Sequence, residues 1–114
     1  MIERRGYERY NVRCALEYRC EQGLLADSSV TLNLSERGAL ISTRHALKRG
    51  MRLIVRIVLD GLAFFLRSRV AHVERKNWIS YKAGIEFLDA PQGFMRGFYR
   101  EFEKHIIMAR PIIR

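Results

Sequence analysis

Long apolar segments are missing from this sequence, and so is a secretion signal. The stretch that comes closest to a membrane span, residues 53–66, is interrupted by Arg56 and Asp60, whereas a spanning helix needs about 20 mostly apolar residues. No apolar core follows the charged residues at the N-terminus, as it does in a signal peptide. The sequence therefore predicts a cytoplasmic protein without a transmembrane segment.

Cysteine is scarce, and the sequence motifs of common catalytic and metal sites are missing. Cys14 and Cys20 are the only two cysteines. On one strand they would lie about 20 Å apart, beyond the ~7 Å between Cα atoms that a disulfide allows. No cysteine or histidine pair has zinc-site spacing, and no P-loop, GxGxxG or nucleophile elbow occurs. The sequence therefore predicts a protein that is not an enzyme and holds neither a metal nor a cofactor.

Acidic residues are too few to balance the basic ones. The 114 residues include 21 Lys and Arg against 12 Asp and Glu, which gives a net charge of +9. Apolar residues make up 48% of the chain, which is enough for one packed core and indicates a single domain. A surface this basic favours an anionic partner, whether a nucleotide, a nucleic acid, or an acidic protein or membrane face.

Alternation of apolar and polar residues predicts six short strands. The clearest is residues 11–20, in which every second side chain is apolar and would face a core: Val12, Cys14, Leu16, Tyr18 and Cys20. The other strands are predicted at residues 30–35, 39–43, 51–59, 62–73 and 79–87. Ile79, Tyr81, Ala83, Ile85 and Phe87 share the predicted core face of the sixth strand.

The second predicted strand places two polar side chains together. If Val30, Leu32 and Leu34 face the core, Asn33 and Ser35 project from the opposite face, because successive side chains of a strand alternate between faces. We therefore expect these two side chains to be neighbours on an exterior surface.

After the sixth strand the apolar period changes to that of a helix. Phenylalanines recur every four residues, at Phe94, Phe98 and Phe102, which gives one apolar helical face. Asp89 is the predicted N-cap and Pro91 falls in the first turn, so we predict a helix from about residue 90 to 108.

Strand number and order predict a mainly β fold. Six short strands before one amphipathic helix indicate a small antiparallel barrel, with the helix over one end or side. We predict a single domain in which residues 1–10 form a flexible arm, residues 11–88 the barrel and residues 90–108 the helix.

Two short motifs stand out against this background. Arg5-Gly6-Tyr7-Glu8-Arg9 is an RxxxR before the first strand, and Asn33-Leu34-Ser35-Glu36-Arg37-Gly38 is an NxSxxG at the end of the second. Paired guanidinium groups suit phosphate oxygens and the N7 and O6 acceptors of guanine. In this order and spacing the motifs resemble those of the PilZ domain, a bacterial receptor module for cyclic di-GMP. A later Gly84-Ile85-Glu86-Phe87 is similar to a segment of that family's last strand.

The resemblance implies a binding site, residue by residue. Arg5 and Arg9 would hold the ligand's phosphates and a guanine edge. Asn33 would pair with a guanine edge, and Ser35 would add a hydrogen bond nearby. Gly38 would provide either a positive φ or a close backbone approach.

Two further positions belong to the predicted ligand site. His72 stands where the family often has an aromatic residue, commonly tryptophan, so an imidazole takes the place of a larger stacking ring. Arg4 adds a third guanidinium to the arm, which would suit a stacked pair of cyclic di-GMP molecules.

The function implied by the resemblance is that of a cyclic di-GMP receptor. Ligand binding would order the arginine arm and signal to an unidentified downstream protein. One alternative is a PilZ-like interaction or pilus-assembly protein that binds no ligand. The other is a basic small-barrel protein that binds nucleic acid. This one is disfavoured because most aromatic residues fall at core positions or on the helix rather than beside basic residues on adjacent strands.

Overall fold

The computed structural model describes residues 12–109, with side chains to residue 104. Six strands and a helix follow in order: β1 (Ala15–Cys20), β2 (Ala26–Leu34), β3 (Gly38–Thr43), β4 (Arg52–Leu59), β5 (Leu62–Arg75), β6 (Tyr81–Phe87) and α1 (Phe94–Ala109). Within this part of the chain, no helix is both long and apolar enough to cross a membrane.

The strands close into an antiparallel barrel in the order β1-β2-β3-β6-β5-β4, which confirms the predicted fold. Because every neighbouring pair is antiparallel, the connections alternate between two ends of the barrel. The end that carries the β2–β3 and β4–β5 turns and α1 is called the motif end. The opposite end carries the β1–β2 turn, the β3–β4 connection and the β5–β6 turn, and is called the far end.

The predicted alternation is confirmed over residues 12–20, since Val12, Cys14, Leu16, Tyr18 and Cys20 are all buried in the core, although β1 itself begins only at Ala15. The phenylalanines of α1 close the barrel at the motif end. Phe94 and Phe98 are fully buried, and Phe94 makes edge-on ring contacts with Phe64 at 5.7 Å and Phe87 at 5.6 Å. Burying a side chain of this size stabilises the fold by about 1.5–3 kcal/mol, so the helix is part of the core.

Polar contacts also fasten α1 to the β4–β5 turn. The Asp60 backbone N–H donates a hydrogen bond of 2.7 Å to the Glu101 carboxylate. The Asp60 carboxylate in turn lies 3.6 Å from Lys104 Nζ and 3.8 Å from Arg100 Nη1. The turn and the helix therefore hold each other in place.

In β2 the predicted core face is wrong for Val30 and for Leu32, which is only partly buried. Val30 is 44% exposed, whereas Thr31 is completely buried. The cause is a bulge, because the β2–β3 register shifts between Thr31 and Asn33. An extra residue reverses the alternation, so Thr31 and Leu34 both face the core. Thr31 is tied to the start of the described chain, since its Oγ1 donates to Val12 O at 2.5 Å and accepts from Cys14 N at 2.9 Å.

The bounds of other elements also differ from the predicted ones, and β2 already begins at Ala26 rather than at residue 30. Ile79 is 71% exposed rather than in the core, because residues 76–80 form a turn and β6 begins at Tyr81. The helix begins at Phe94 rather than near residue 90, since Gly93 has a φ of +88°, outside the right-handed helical region. Asp89 does not cap it and instead accepts a hydrogen bond of 3.3 Å from the Arg67 N–H.

Candidate functional site

The NxSxxG motif forms the β2–β3 turn at the motif end. Ser35 is 2% exposed, so the expectation that it projects outward beside Asn33 is wrong. Its N–H donates to Gly38 O at 2.8 Å, and its hydroxyl accepts from the Arg37 N–H at 3.2 Å and donates to Gly38 O at 3.3 Å. A short hydroxyl side chain commonly satisfies turn backbone in this way, so Ser35 shapes the turn from within.

Gly38 provides a close backbone approach and not a positive φ. It pairs with Glu86 of β6, and a Cβ at this position would lie 2.2 Å from Ile85 O. The backbone of β3 therefore comes nearer to β6 here than any side chain permits. The adjacent Phe87 N–H donates to Arg37 O at 2.8 Å, which ties the turn to β6.

Asn33 lies on the outer face of the barrel, as the sequence predicts. It pairs with Leu40, which is flanked by the fully buried Ala39 and Ile41 and so points outward. Asn33 is half-buried. Asn33 alternates with the buried Leu34, and the bulge lies on its other side, between Thr31 and Asn33.

The strand registers connect Asn33 to His72 across four strands. Asn33 pairs with Leu40, Leu40 with Gly84, and Gly84 with His72. We call these four residues the outer row. Neighbouring strands lie about 4.8 Å apart, so the two ends of the outer row are roughly 14 Å apart. The two predicted site residues thus share one surface, although 39 positions separate them in the sequence.

Gly84 has no side chain and so leaves room for the imidazole of His72. A Cβ at Gly84 would lie only 2.1 Å from His72 Cε1 and 2.5 Å from Nδ1. The ring therefore occupies the space that any other side chain at this position would fill. A second bulge, between Val70 and His72, puts His72 opposite Gly84. His72 is exposed, so its ring remains accessible from the solvent side.

One step toward the motif end, an ion pair borders the outer row. Arg69 Nη2 donates to Glu86 Oε1 at 2.6 Å, and both side chains are nearly half exposed. Glu86 pairs with Gly38 on one side and with Arg69 on the other. The Arg69 charge is therefore already compensated by Glu86. An anion bound on the outer row would need other cations for a strong electrostatic attraction.

The helix contacts the motif turn directly. The Tyr99 hydroxyl donates a hydrogen bond to the Glu36 carboxylate within the NxSxxG segment. Tyr99 also packs edge-on against Phe98, at 5.1 Å between ring centroids, and Phe98 is buried in the core. A change in the conformation of this turn thus acts on a residue anchored next to the core.

The three predicted arginines, Arg4, Arg5 and Arg9, lie outside the described residues. The described chain begins with Val12, which is buried and fixed beside β2 through Thr31. Because β1 runs from the motif end to the far end, Val12 lies at the motif end. Sequence reasoning missed Leu40 as a member of this surface, since nothing in the sequence reveals which residue it opposes.

The described residues form a closed antiparallel barrel with a helix over one end and a row of outward residues beside the β2–β3 turn. Ten chains among the solved structures match this fold, including the following three. The PilZ domain of YcgR from Escherichia coli with c-di-GMP has a TM-score of 0.76 at 15% identity, covering 96% of this chain and 100% of that one. The PilZ domain of CeSA from a cellulose-synthesizing bacterium has a TM-score of 0.61 at 22% identity, covering 86% and 98%. The inhibitor of motility MotI/DgrA from Bacillus subtilis has a TM-score of 0.76 at 16% identity.

The alignment with MotI/DgrA covers 96% of this chain but 54% of that protein, so the chain spans about half its length. No curated protein matches the chain in sequence. The family model for the PilZ domain matches residues 3–98. The chain belongs to the PilZ domain family, whose members are binding modules that act as cyclic di-GMP receptors.

Proposed function

We propose that this chain is a non-enzymatic receptor for cyclic di-GMP, which binds on the outer row. The observation that supports this most is the family match over residues 3–98, because that span includes both the arginine motif and the NxSxxG motif. The geometry adds a surface of suitable length. A dinucleotide laid along the outer row would meet the Asn33 amide at one end and the His72 ring at the other.

The chemistry of the outer row suits a flat, doubly charged ligand. Cyclic di-GMP carries two phosphodiester charges and two guanines. Asn33 supplies an amide for a guanine edge, and the exposed side of His72 offers a ring for stacking. The His72 ring lies over Gly84, so a purine beside it would stack on the ring, and Leu40 would supply the apolar contact between the ring and Asn33.

The phosphates require cations that the outer row itself lacks, since the nearby Arg69 is paired with Glu86. Arg5 and Arg9 are proposed to supply them. Three residues of chain span at most about 11 Å, so Arg9 remains within that distance of Val12 at the motif end. A guanidinium there would reach the Asn33 end of the outer row. Arg4 would extend the same charge to a second, stacked dinucleotide.

Signalling is proposed to follow from ordering of the arm. A ligand shifts an equilibrium only if it binds one state better than the other, and an arm that contributes two arginines to the ligand satisfies this condition. The ordered arm would lie beside the β2–β3 turn, and the Tyr99–Glu36 hydrogen bond would connect that turn to α1. A downstream protein that contacts the arm or α1 would then distinguish the bound from the free receptor.

Isothermal titration calorimetry with cyclic di-GMP tests this function. GMP and a single-stranded oligonucleotide serve as control ligands. Arg5→Ala and Arg9→Ala are each expected to weaken binding by at least about 1.5 kcal/mol, the value of a hydrogen bond to a charged group. Asn33→Ala is expected to weaken it by about 1 kcal/mol.

Arg19→Ala is the matched control, because Arg19 is exposed on the wall formed by β1 and β4, away from the outer row. Far-UV circular dichroism confirms that each variant is folded. Folded wild-type protein that does not bind cyclic di-GMP would overturn the receptor proposal and favour an interaction protein of the same fold. Equal loss of affinity in Arg19→Ala would show that binding follows net charge and not the motif.

A further inference from the structure

The far end of the barrel exposes large apolar side chains at two separate hairpin tips. Leu24 in the β1–β2 turn is fully exposed. Trp78 and Ile79 in the β5–β6 turn are 90% and 71% exposed. An isolated exposed apolar residue needs no explanation, whereas several at one end of a small domain indicate a contact surface.

The β5–β6 tip is held rigidly in this exposed conformation. Asn77 Oδ1 accepts hydrogen bonds from the Ile79 N–H at 2.9 Å and the Ser80 hydroxyl at 3.0 Å. The Arg75 guanidinium donates to Asn77 O at 3.1 Å and Trp78 O at 3.2 Å. It also lies over the Tyr81 ring, 5.7 Å from the ring centre. The tryptophan is therefore presented by an ordered tip, which lowers the entropy cost of a contact.

Cations surround these apolar tips. Five basic residues of the far-end connections and the end of β5 are exposed: Arg44, Lys48, Arg49, Arg75 and Lys76. Two exposed acidic residues lie among them, Glu21, which is paired with Arg67 at 3.6 Å, and Glu74. The far end therefore has a positive net charge.

The arrangement of the tips favours a bilayer over a single protein pocket. In the barrel order, β3 and β4 separate the β1–β2 hairpin from the β5–β6 hairpin, and the basic β3–β4 connection lies between them. The two apolar hairpin tips thus lie on opposite sides of the barrel's far end, with basic residues between them. A broad anionic surface such as a bilayer could contact both tips and the basic residues at once. Tryptophan prefers the membrane–water interface, and basic residues are attracted to anionic headgroups.

We propose that the far end of the barrel binds the surface of a membrane rich in anionic lipids, with Leu24, Trp78 and Ile79 entering the headgroup region. In this orientation the motif end faces away from the membrane. This surface shares no residue with the outer row. Membrane binding at the far end therefore does not depend on whether the chain binds a dinucleotide.

Tryptophan fluorescence tests the proposal directly, because Trp78 is the only tryptophan of the chain. The full chain is titrated with vesicles of phosphatidylcholine alone and of phosphatidylcholine mixed with phosphatidylglycerol. With the anionic vesicles we expect the emission to shift to shorter wavelength and to resist quenching by acrylamide. Neutral vesicles and soluble glycerol phosphate should leave it unchanged, and high salt should reverse the shift.

Two sets of variants identify the surface that binds. Lys48→Glu combined with Lys76→Glu should raise the lipid concentration needed for half-binding by about tenfold or more. In Trp78→Phe combined with Phe65→Trp, the introduced tryptophan reports from the exposed wall of β5. Its emission should not shift when the vesicles bind.

Several results would overturn the proposal. The emission of Trp78 could remain unchanged on anionic vesicles, or the reporter introduced by Phe65→Trp could shift as much as Trp78 does. Glycerol phosphate alone could reproduce the shift, which would indicate a site for a soluble anion. A shift with polyglutamate or an oligonucleotide but not with vesicles would assign the far end to a macromolecular partner instead.

Discussion

Adding one methyl group at Gly38 should cost far more stability than adding one at Gly84. A Cβ at Gly38 would lie 2.2 Å from Ile85 O, and a Cβ at Gly84 would lie 2.1 Å from His72 Cε1. The two overlaps are nearly equal, but the atoms that must move differ. Ile85 O belongs to the backbone of a paired strand, whereas the imidazole of the exposed His72 can rotate away.

The loss of stability in each variant depends on which contacts must break to make room for the added Cβ. An ordinary Cβ contact is at least 3.4 Å, so in Gly38→Ala the β3 and β6 backbones must separate by more than about 1 Å. This lengthens the hydrogen bond of 2.8 Å from the Phe87 N–H to Arg37 O. Leaving a buried donor and its acceptor unsatisfied costs about 1–3 kcal/mol per group. We expect a loss of about 2–4 kcal/mol, or about 8–16 °C in Tm for a domain of this size.

In Gly84→Ala the cost is a displaced side chain, about 0.5–1.5 kcal/mol, offset in part by the lower entropy of the unfolded alanine chain. Urea denaturation followed by far-UV circular dichroism measures both variants. Trp78 fluorescence is a poor probe of unfolding here, because this residue is exposed in the folded state. If Gly38→Ala and Gly84→Ala proved equally stable, backbone contact at Gly38 would not be the reason for glycine there.

Three further predictions concern the motif turn, the core and the arm. Ser35→Ala should lower the free energy of unfolding by about 1 kcal/mol or more, since it leaves the Arg37 N–H without its acceptor; an unchanged urea midpoint would contradict this. Burial raises the pKa of the Cys14 thiol from 9.0 to about 12, so Ellman's reagent at pH 8 should react with it only as fast as the protein opens. Rapid labelling of Cys14 in the native protein would refute the burial argument. Because the pKa of this thiol is higher in the folded than in the unfolded state, it contributes stability below pH 9.0 that is lost as the pH rises toward 12. Arg4→Ala should reduce the calorimetric stoichiometry from two cyclic di-GMP molecules per chain to one. A stoichiometry of one for the wild-type protein would contradict binding of a stacked pair.

The sequence predicts the barrel because its strands are long enough for period-two alternation to be visible. Over residues 12–20, which include β1, five consecutive alternate residues are apolar, and all of them are buried. The pattern fails where one residue is inserted. Leu32 lies within the bulge of β2, and its apolar side chain makes the interrupted strand look regular. The start of α1 is missed for a related reason, since a proline and an N-cap residue fit a helix as well as they fit the turn that precedes one.

The placement of the candidate site residues in the fold could be predicted only in part. Asn33 and His72 were selected through resemblance to a family, and the structure places them on one surface. Leu40 could not be assigned to it, because its neighbours depend on a strand register that local sequence does not specify. Ser35 was misplaced, since its hydroxyl is used inside the turn.

The outer row crosses a seam between distant parts of the chain. Four of the six strand pairs join consecutive strands, whereas β3–β6 and β1–β4 join segments about forty residues apart. Such non-local pairings form late, because the entropy of closing a long loop is lost before the contacts are gained. Asn33 and Leu40 belong to one side of the β3–β6 seam, Gly84 and His72 to the other. A ligand that spans the outer row would therefore bind no isolated hairpin, and it would slow unfolding rather than speed folding.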